Sequence, residues 1–171
     1  MVERFEVREA PKLSTAGHFI FVLKCKNMSV PLFLEFIKKH KLNITPVKSE
    51  RFTATAQEAA AVRSVPVSNI VKSLVVKKDG EFVVYLCPGD KKLNLQKIGG
   101  RMATASEVKE ATGHSIGGVP PFGHQQPLKT VIVDGFNPNE PLWAAAGAQD
   151  TNFKTTLSEL KRIVTLVNKK V

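Results

Sequence analysis

Two cysteines are all that the 171 residues hold. Cys25 and Cys87 are too few for a disulfide framework and lack the spacing of metal ligands. His18, His40, His114 and His124 form no His-x-x-x-His or Cys/His pattern, so the sequence carries no recognisable metal site and calls for no cofactor. No G-x-x-x-x-G-K-[ST] run exists, which excludes a nucleotide P-loop. G-x-S-x-G is absent too, and a serine (Ser115) next to a histidine (His114) in sequence does not make a triad. The apolar run His-Phe-Ile-Phe-Val-Leu at 18–23 is shorter than a signal-peptide core and far shorter than the roughly twenty residues of a membrane span. Lys24-Cys25-Lys26 follows it in place of a cleavage site. The chain reads as cytoplasmic, with no membrane partner.

Acidic residues are also short, 15 Asp and Glu against 25 Lys and Arg, which leaves a net charge of +10. The excess is spread over Lys38, Lys39, Lys41, Lys48, Arg51, Lys77, Lys78, Lys91, Lys92, Lys97 and Arg101, and again over Lys161, Arg162, Lys169 and Lys170. Such a field attracts polyanions, nucleic acid first and anionic membrane second, although solubility explains it equally well. Arginine-rich and RGG segments are missing, which argues against a disordered RNA-binding tail. A hydrophobic content of 43% and a charged content of 23% describe an ordinary globular chain, long enough for one domain with a substantial core.

Ser29-Val30-Pro31 opens an amphipathic helix to about Lys41, with Leu32, Phe33, Phe36 and Ile37 on one face. Thr55-x-x-Glu58 is a capping box for an alanine-rich helix through about Arg63, which Pro66 ends, and Ser68 caps one further helical turn. Runs at 74–77 and 81–87 flank Lys78-Asp79-Gly80 and read as a hairpin. Short helices are expected near 94–98 and 106–111, the second stopped by Gly113. Strands are expected at 130–134 and 142–146, joined through a turn region at 135–141, then a helix at 157–164 capped by Thr156-x-x-Glu159. Hairpins mixed with helices make the class α+β with a largely antiparallel sheet. Residues 1–28 read as an N-terminal extension, with a strand or a loose segment at 19–23, and 29–171 as the domain.

Two features carry chemistry. Gly117-Gly118-Val119-Pro120-Pro121-Phe122-Gly123 fits no helix or strand. It is either a plain turn cluster or a rigid loop offering bare backbone to a ligand. Lys72 sits in Asn69-Ile70-Val71-Lys72-Ser73-Leu74-Val75-Val76 and, if extended, shares a face with Ile70, Leu74 and Val76. Its ammonium either snorkels to water or meets an anion. Asp134, at a strand end, is an acid/base candidate or a turn residue.

The order Thr53/Thr55, Glu58-Ala59-Ala60, Ile70-Val71-Lys72-Ser73-Leu74, Pro88-Gly89-Asp90, Ala105-Ser106-Glu107, Thr112-Gly113, the loop at 117–123, Val133-Asp134 and Ala145-Ala146-Gly147 resembles the YbaK family. That family includes the editing domain inserted into bacterial-type prolyl-tRNA synthetases and its free-standing relatives. The likeness runs over about 32–167. It implies a single α+β domain, a largely antiparallel mixed sheet flanked by helices, that acts in trans as an aminoacyl-tRNA deacylase. The activity implied is hydrolysis of a mischarged amino acid, from tRNA-Pro in the first instance, by pocket positioning and substrate-assisted attack of water. The implied catalytic positions are Lys72, touching phosphate or backbone oxygen of the terminal adenosine, and Gly117. Ser73, Gly118, Val119, Pro121, Phe122, Asp134 and Gly147 are the implied substrate-binding positions. No metal or cofactor is implied. The partners implied are the misacylated 3′ end of tRNA and prolyl-tRNA synthetase, with no DNA. Relatives divide among cysteinyl, alanyl and other misacylated tRNAs, and Ala148-Gln149-Asp150-Thr151-Asn152-Phe153 does not choose among them. The rival reading is a non-catalytic tRNA- or synthetase-binding module of the same fold.

Overall fold

Alternation along β2 (Ile70–Lys78) organises the molecule. A computed structural model describes residues 29–169 and 171, so the expectations for 1–28 lie outside the described residues. In β2, Val71 and Val75 point into the main core while Ile70 points to the opposite face. Its hairpin partner is β3 (Glu81–Pro88), joined through Asp79 and Gly80. Both turn residues have positive φ, 51° and 84°, the backbone of a type I′ turn, whose twist matches that of the flanking strands.

Around this hairpin the chain builds a seven-stranded sheet in the order β1-β7-β6-β2-β3-β5, with β4 on β2. β1 is Val47–Lys48, β4 Arg101–Met102, β5 Lys129–Ile132, β6 Leu142–Ala148 and β7 Thr151–Thr155. Two pairings, β2 with β6 and β3 with β5, are parallel and the other four antiparallel. The expected α+β class with a largely antiparallel mixed sheet is the one observed. The strands expected at 130–134 and 142–146 are present but not neighbours, since β2 and β3 lie between them.

Helices α1 (Ser29–Lys39), α4 (Ala105–Thr112) and α5 (Leu157–Asn168) help cover one face of the sheet. Phe33, Val108, Leu160 and Ile163 pack there on Val75, Val84, Leu86, Ala144 and Phe153. Capping boxes start α2 (Ala56–Arg63) at Thr55 and α4 at Thr104. A short helix, α3 (Leu95–Ile98), leads into β4. The other face carries α2 and a single 3-10 turn, Val67–Asn69, where Ala59, Ala60 and Ile70 form a small second cluster beside Trp143. That thinner cover leaves part of the sheet face open. Among the described residues no helix is long and apolar enough to cross a membrane.

Candidate active site

β2 is paired with β3 along nearly its whole length, but among the described residues its other edge is covered only at the ends. β6 takes Ile70 and Val71, and β4 takes Val76 and Lys77. Ala103 N donates to Val75 O, so the odd-numbered residues of β2 aim their backbone groups at that edge. Ser73 therefore turns its N–H and C=O toward the stretch that neither β6 nor β4 reaches. Its Oγ is buried with no hydrogen-bond partner among the described residues.

A cleft of about 270 Å³ opens at this break. Its walls are mostly apolar, including Val71, Val75, Val108, Val119 and Trp143, and Lys72, Ser73, Thr53 and Asn152 supply most of the polar side chains. Among the described residues no carboxylate, imidazole or thiol lines it. Lys72 Nζ donates to the Lys91 carbonyl, which also lies 3.6 Å from Cys87 Sγ. An ammonium has three protons, so at least two remain for a ligand. Burial pushes the Cys87 thiol up, which keeps it an inert core group.

The loop at 117–123 forms one wall. Gly117 has φ +85°, the left-handed backbone that favours glycine, and its Cα faces the end of the Gln149 side chain. Gly118 presses against the Ala148 backbone, and its carbonyl accepts from Gly147 N at 3.1 Å. Gly147 itself has φ +103° and would meet the Ser29 carbonyl with any side chain. Gln149 ties the walls together: its carbonyl accepts from Thr53 N and Oγ1, and its Nε2 donates to Ile116 O at 3.0 Å.

Of the positions singled out in the sequence, the cleft brings together Lys72, Ser73, Gly117 and Val119. Gly118 and Gly147 stand behind it as supports for the loop, and Pro121 is buried outside the lining. Phe122 is fully buried, stacked on Phe33 at 5.5 Å and beside Phe36 and Phe153, so it anchors the loop to the core and has no surface toward the cleft. Asp134 is exposed and outside the cleft, next to Gly135, where a side chain would run into that of Lys91. Two imidazoles brace the loop from beneath: His114 Nε2 lies 3.1 Å from Gly123 O and His124 Nε2 2.8 Å from Pro120 O. Since a carbonyl only accepts, Nε2 carries the proton in both rings. Burial pushes both histidines down, His124 to about 4.

Trp143 and Asn152 are lining residues that the sequence pattern did not assign to the site, and Thr53, part of the family resemblance without an implied role, lines it too. Arg63 sits behind Trp143 and Asn152, with its guanidinium 4.7 Å from the Trp143 ring centroid. Its Nη2 lies 2.9 Å from Val47 O, 2.7 Å from Ser49 Oγ and 3.2 Å from Asn152 Oδ1. Among the described residues no carboxylate pairs with it, and burial pushes it below its ordinary value.

Residues 50–163 match the family described as aminoacyl-tRNA editing domain. The chain is 31% identical over 118 residues to the uncharacterized protein YwhH of Bacillus subtilis, covering 65% of this chain and 75% of that one. It is 34% identical over 106 residues to a proline–tRNA ligase of Bacillus licheniformis, which spans 58% of this chain but only 18% of the ligase. Among solved structures, one described as a candidate trans-editing enzyme for prolyl tRNA synthetase superposes with TM-score 0.73 at 32% identity, over 80% of this chain and 92% of that one. The hypothetical protein APE2540 superposes with TM-score 0.70 at 30% identity, over 78% and 94%.

Proposed function

The chain belongs to the aminoacyl-tRNA editing domain family, and from that premise we propose that it hydrolyses the ester of a misacylated tRNA in trans, with the cleft at the break in β2's edge as its active site. The observation that carries this reading is the cleft's make-up: a cationic donor, Lys72, an open backbone edge at Ser73 and a loop wall at Gly117 and Val119, with no carboxylate, imidazole or thiol lining it among the described residues. Such a site binds and orients an ester and leaves the attack to water. The oxygen of water bonds to the ester carbon and the bond to the ribose oxygen breaks. One water proton ends on that ribose oxygen and the other leaves with the ionising carboxylic acid. In this reading a hydroxyl of the terminal ribose relays the proton, in keeping with a lining that has no carboxylate or imidazole among the described residues.

Cleft size and rim agree with the substrate. About 270 Å³ of largely apolar space is enough for an amino-acid side chain. Phe52, Met102 and Ile116 are exposed large hydrophobic residues at or beside the mouth, surfaces on which a terminal nucleobase can rest. The net charge of +10 supplies phosphate attraction for the rest of the tRNA. As in the sequence reading, tRNA-Pro is the tRNA we place first and prolyl-tRNA synthetase the partner, because several curated relatives are proline–tRNA ligases.

The test is a deacylation panel: tRNA-Pro charged with alanine, cysteine, serine and threonine, with prolyl-tRNA-Pro as the correct pairing. Hydrolysis of at least one mischarged member and sparing of prolyl-tRNA is the expected result. No hydrolysis of any member, with tRNA binding retained, would make the protein a binding module instead.

A further inference from the structure

Ile70 and Trp143 are register partners, as are Ala145 and Asn152. Side chains two residues apart on a strand share a face. Lys72 on β2, Ala145 on β6 and Asn152 on β7 therefore stand on the same face of three consecutive strands, and all three line the cleft. The outer two are separated by two strand spacings, about 10 Å of backbone. Between them is only the methyl of Ala145, beside the point where β6 parts from β2. The row is a trough with a donor at each end.

Asn152 is a donor because of Arg63. The guanidinium occupies Asn152 Oδ1, and the planar amide must then turn Nδ2 to the other side. Nδ2 has no partner among the described residues, although Asn152 is only 7% exposed and its remaining exposure is to the cleft. An amide that spends its acceptor on a cation and keeps its donor reachable from the cleft is a device for holding an acceptor. It is a good one for a carbonyl oxygen that gains negative charge, and the uncompensated Arg63 charge behind it adds to the effect.

Resting on the deacylase reading, we infer that Asn152 is a further catalytic residue: its Nδ2 donates to the carbonyl oxygen of the scissile ester and to the oxyanion formed when water adds. Arg63 is the positioning residue that fixes the amide, and Lys72 holds the nucleotide side of the same ester across Ala145.

The decisive variant is Asn152→Asp, which keeps the shape and the acceptor facing Arg63 and removes the donor. Single-turnover deacylation at saturating protein should slow by about a hundredfold or more, the scale of losing one oxyanion donor. The Kd for tRNA should stay unchanged, and the melting temperature should hold or rise because a carboxylate now meets the guanidinium. Asn152→Ala should give the same kinetic loss. A wild-type rate in Asn152→Asp would overturn the inference. So would a loss of folding in both variants, since Asn152 would then serve the fold. Wild-type protein inactive on the whole panel would instead overturn the deacylase reading itself, and this assignment with it.

Discussion

Lys72 spends one proton on the Lys91 carbonyl and leaves the others to the cleft, where no carboxylate among the described residues competes for them. Replacing it with Ala removes a charge-assisted contact and the alignment it gives, so single-turnover deacylation should fall by about a hundredfold. The melting temperature should be unmoved, because the lysine's bond to a part-exposed carbonyl contributes little to the fold. Lys72→Arg should rescue poorly, its planar fork being the wrong shape for a compact ammonium. Full activity in Lys72→Ala would remove the residue from the site. Lys72 was legible in the sequence because a charge amid Ile70, Leu74 and Val76 breaks an apolar face. Asn152 was not. It lies in Thr-Asn-Phe-Lys-Thr, an unremarkable polar stretch, and only the β6–β7 pairing and Arg63, 89 residues away, give its amide a direction.

Among elements, the loop at 117–123 is held by Phe122 in the core and by two imidazoles, and the imidazoles make it sensitive to acid. His124 sits at about 4 against an ordinary 6.5. As pH falls below 6.5 the unfolded chain takes up a proton that the folded ring refuses until about 4, so this part of the stability is full above 6.5 and is lost between the two. Melting temperatures measured from pH 7 to 4 should fall less steeply for His124→Gln, whose amide can still donate to Pro120 O without titrating. Equal slopes would show that the ring does not govern the acid limb. The loop's rigidity could be anticipated from its glycines and prolines, but its imidazole braces could not. They form across 9 and 4 residues through a backbone path that no periodicity describes. The same limit hid β1 and β4, two residues each, which exist only because β7 and β2 offer edges to pair with. Thr104-x-x-Glu107 was as readable as the box at Thr55, and it fixes the start of α4 one residue earlier than the apolar pattern suggested.

For the whole molecule, the excess positive charge is unevenly committed. Lys77 and Arg101 are tied to Glu107, and Lys48 lies 3.9 Å from Asp150, whereas Lys92 and Lys97 are exposed on the segment that follows β3. If that segment carries part of the tRNA backbone, binding should weaken steeply from 50 to 200 mM salt by counterion release, as such contacts do in general. The double variant Lys92→Glu, Lys97→Glu should bind tRNA more weakly and show a shallower salt slope, while hydrolysing a small aminoacyl-adenosine at the wild-type rate. An unchanged slope would move the tRNA surface elsewhere. The break in β2's edge has a consequence of another kind. A central strand ordinarily holds the most slowly exchanging amides of a domain, yet Ser73 N–H lies in the middle of β2 with no ladder partner. In deuterium oxide its signal should fade well before those of Lys72 and Leu74, which point at β3. A non-hydrolysable aminoacyl-adenosine seated in the cleft should slow it, turning one backbone amide into a reporter of occupancy that needs no catalysis to read.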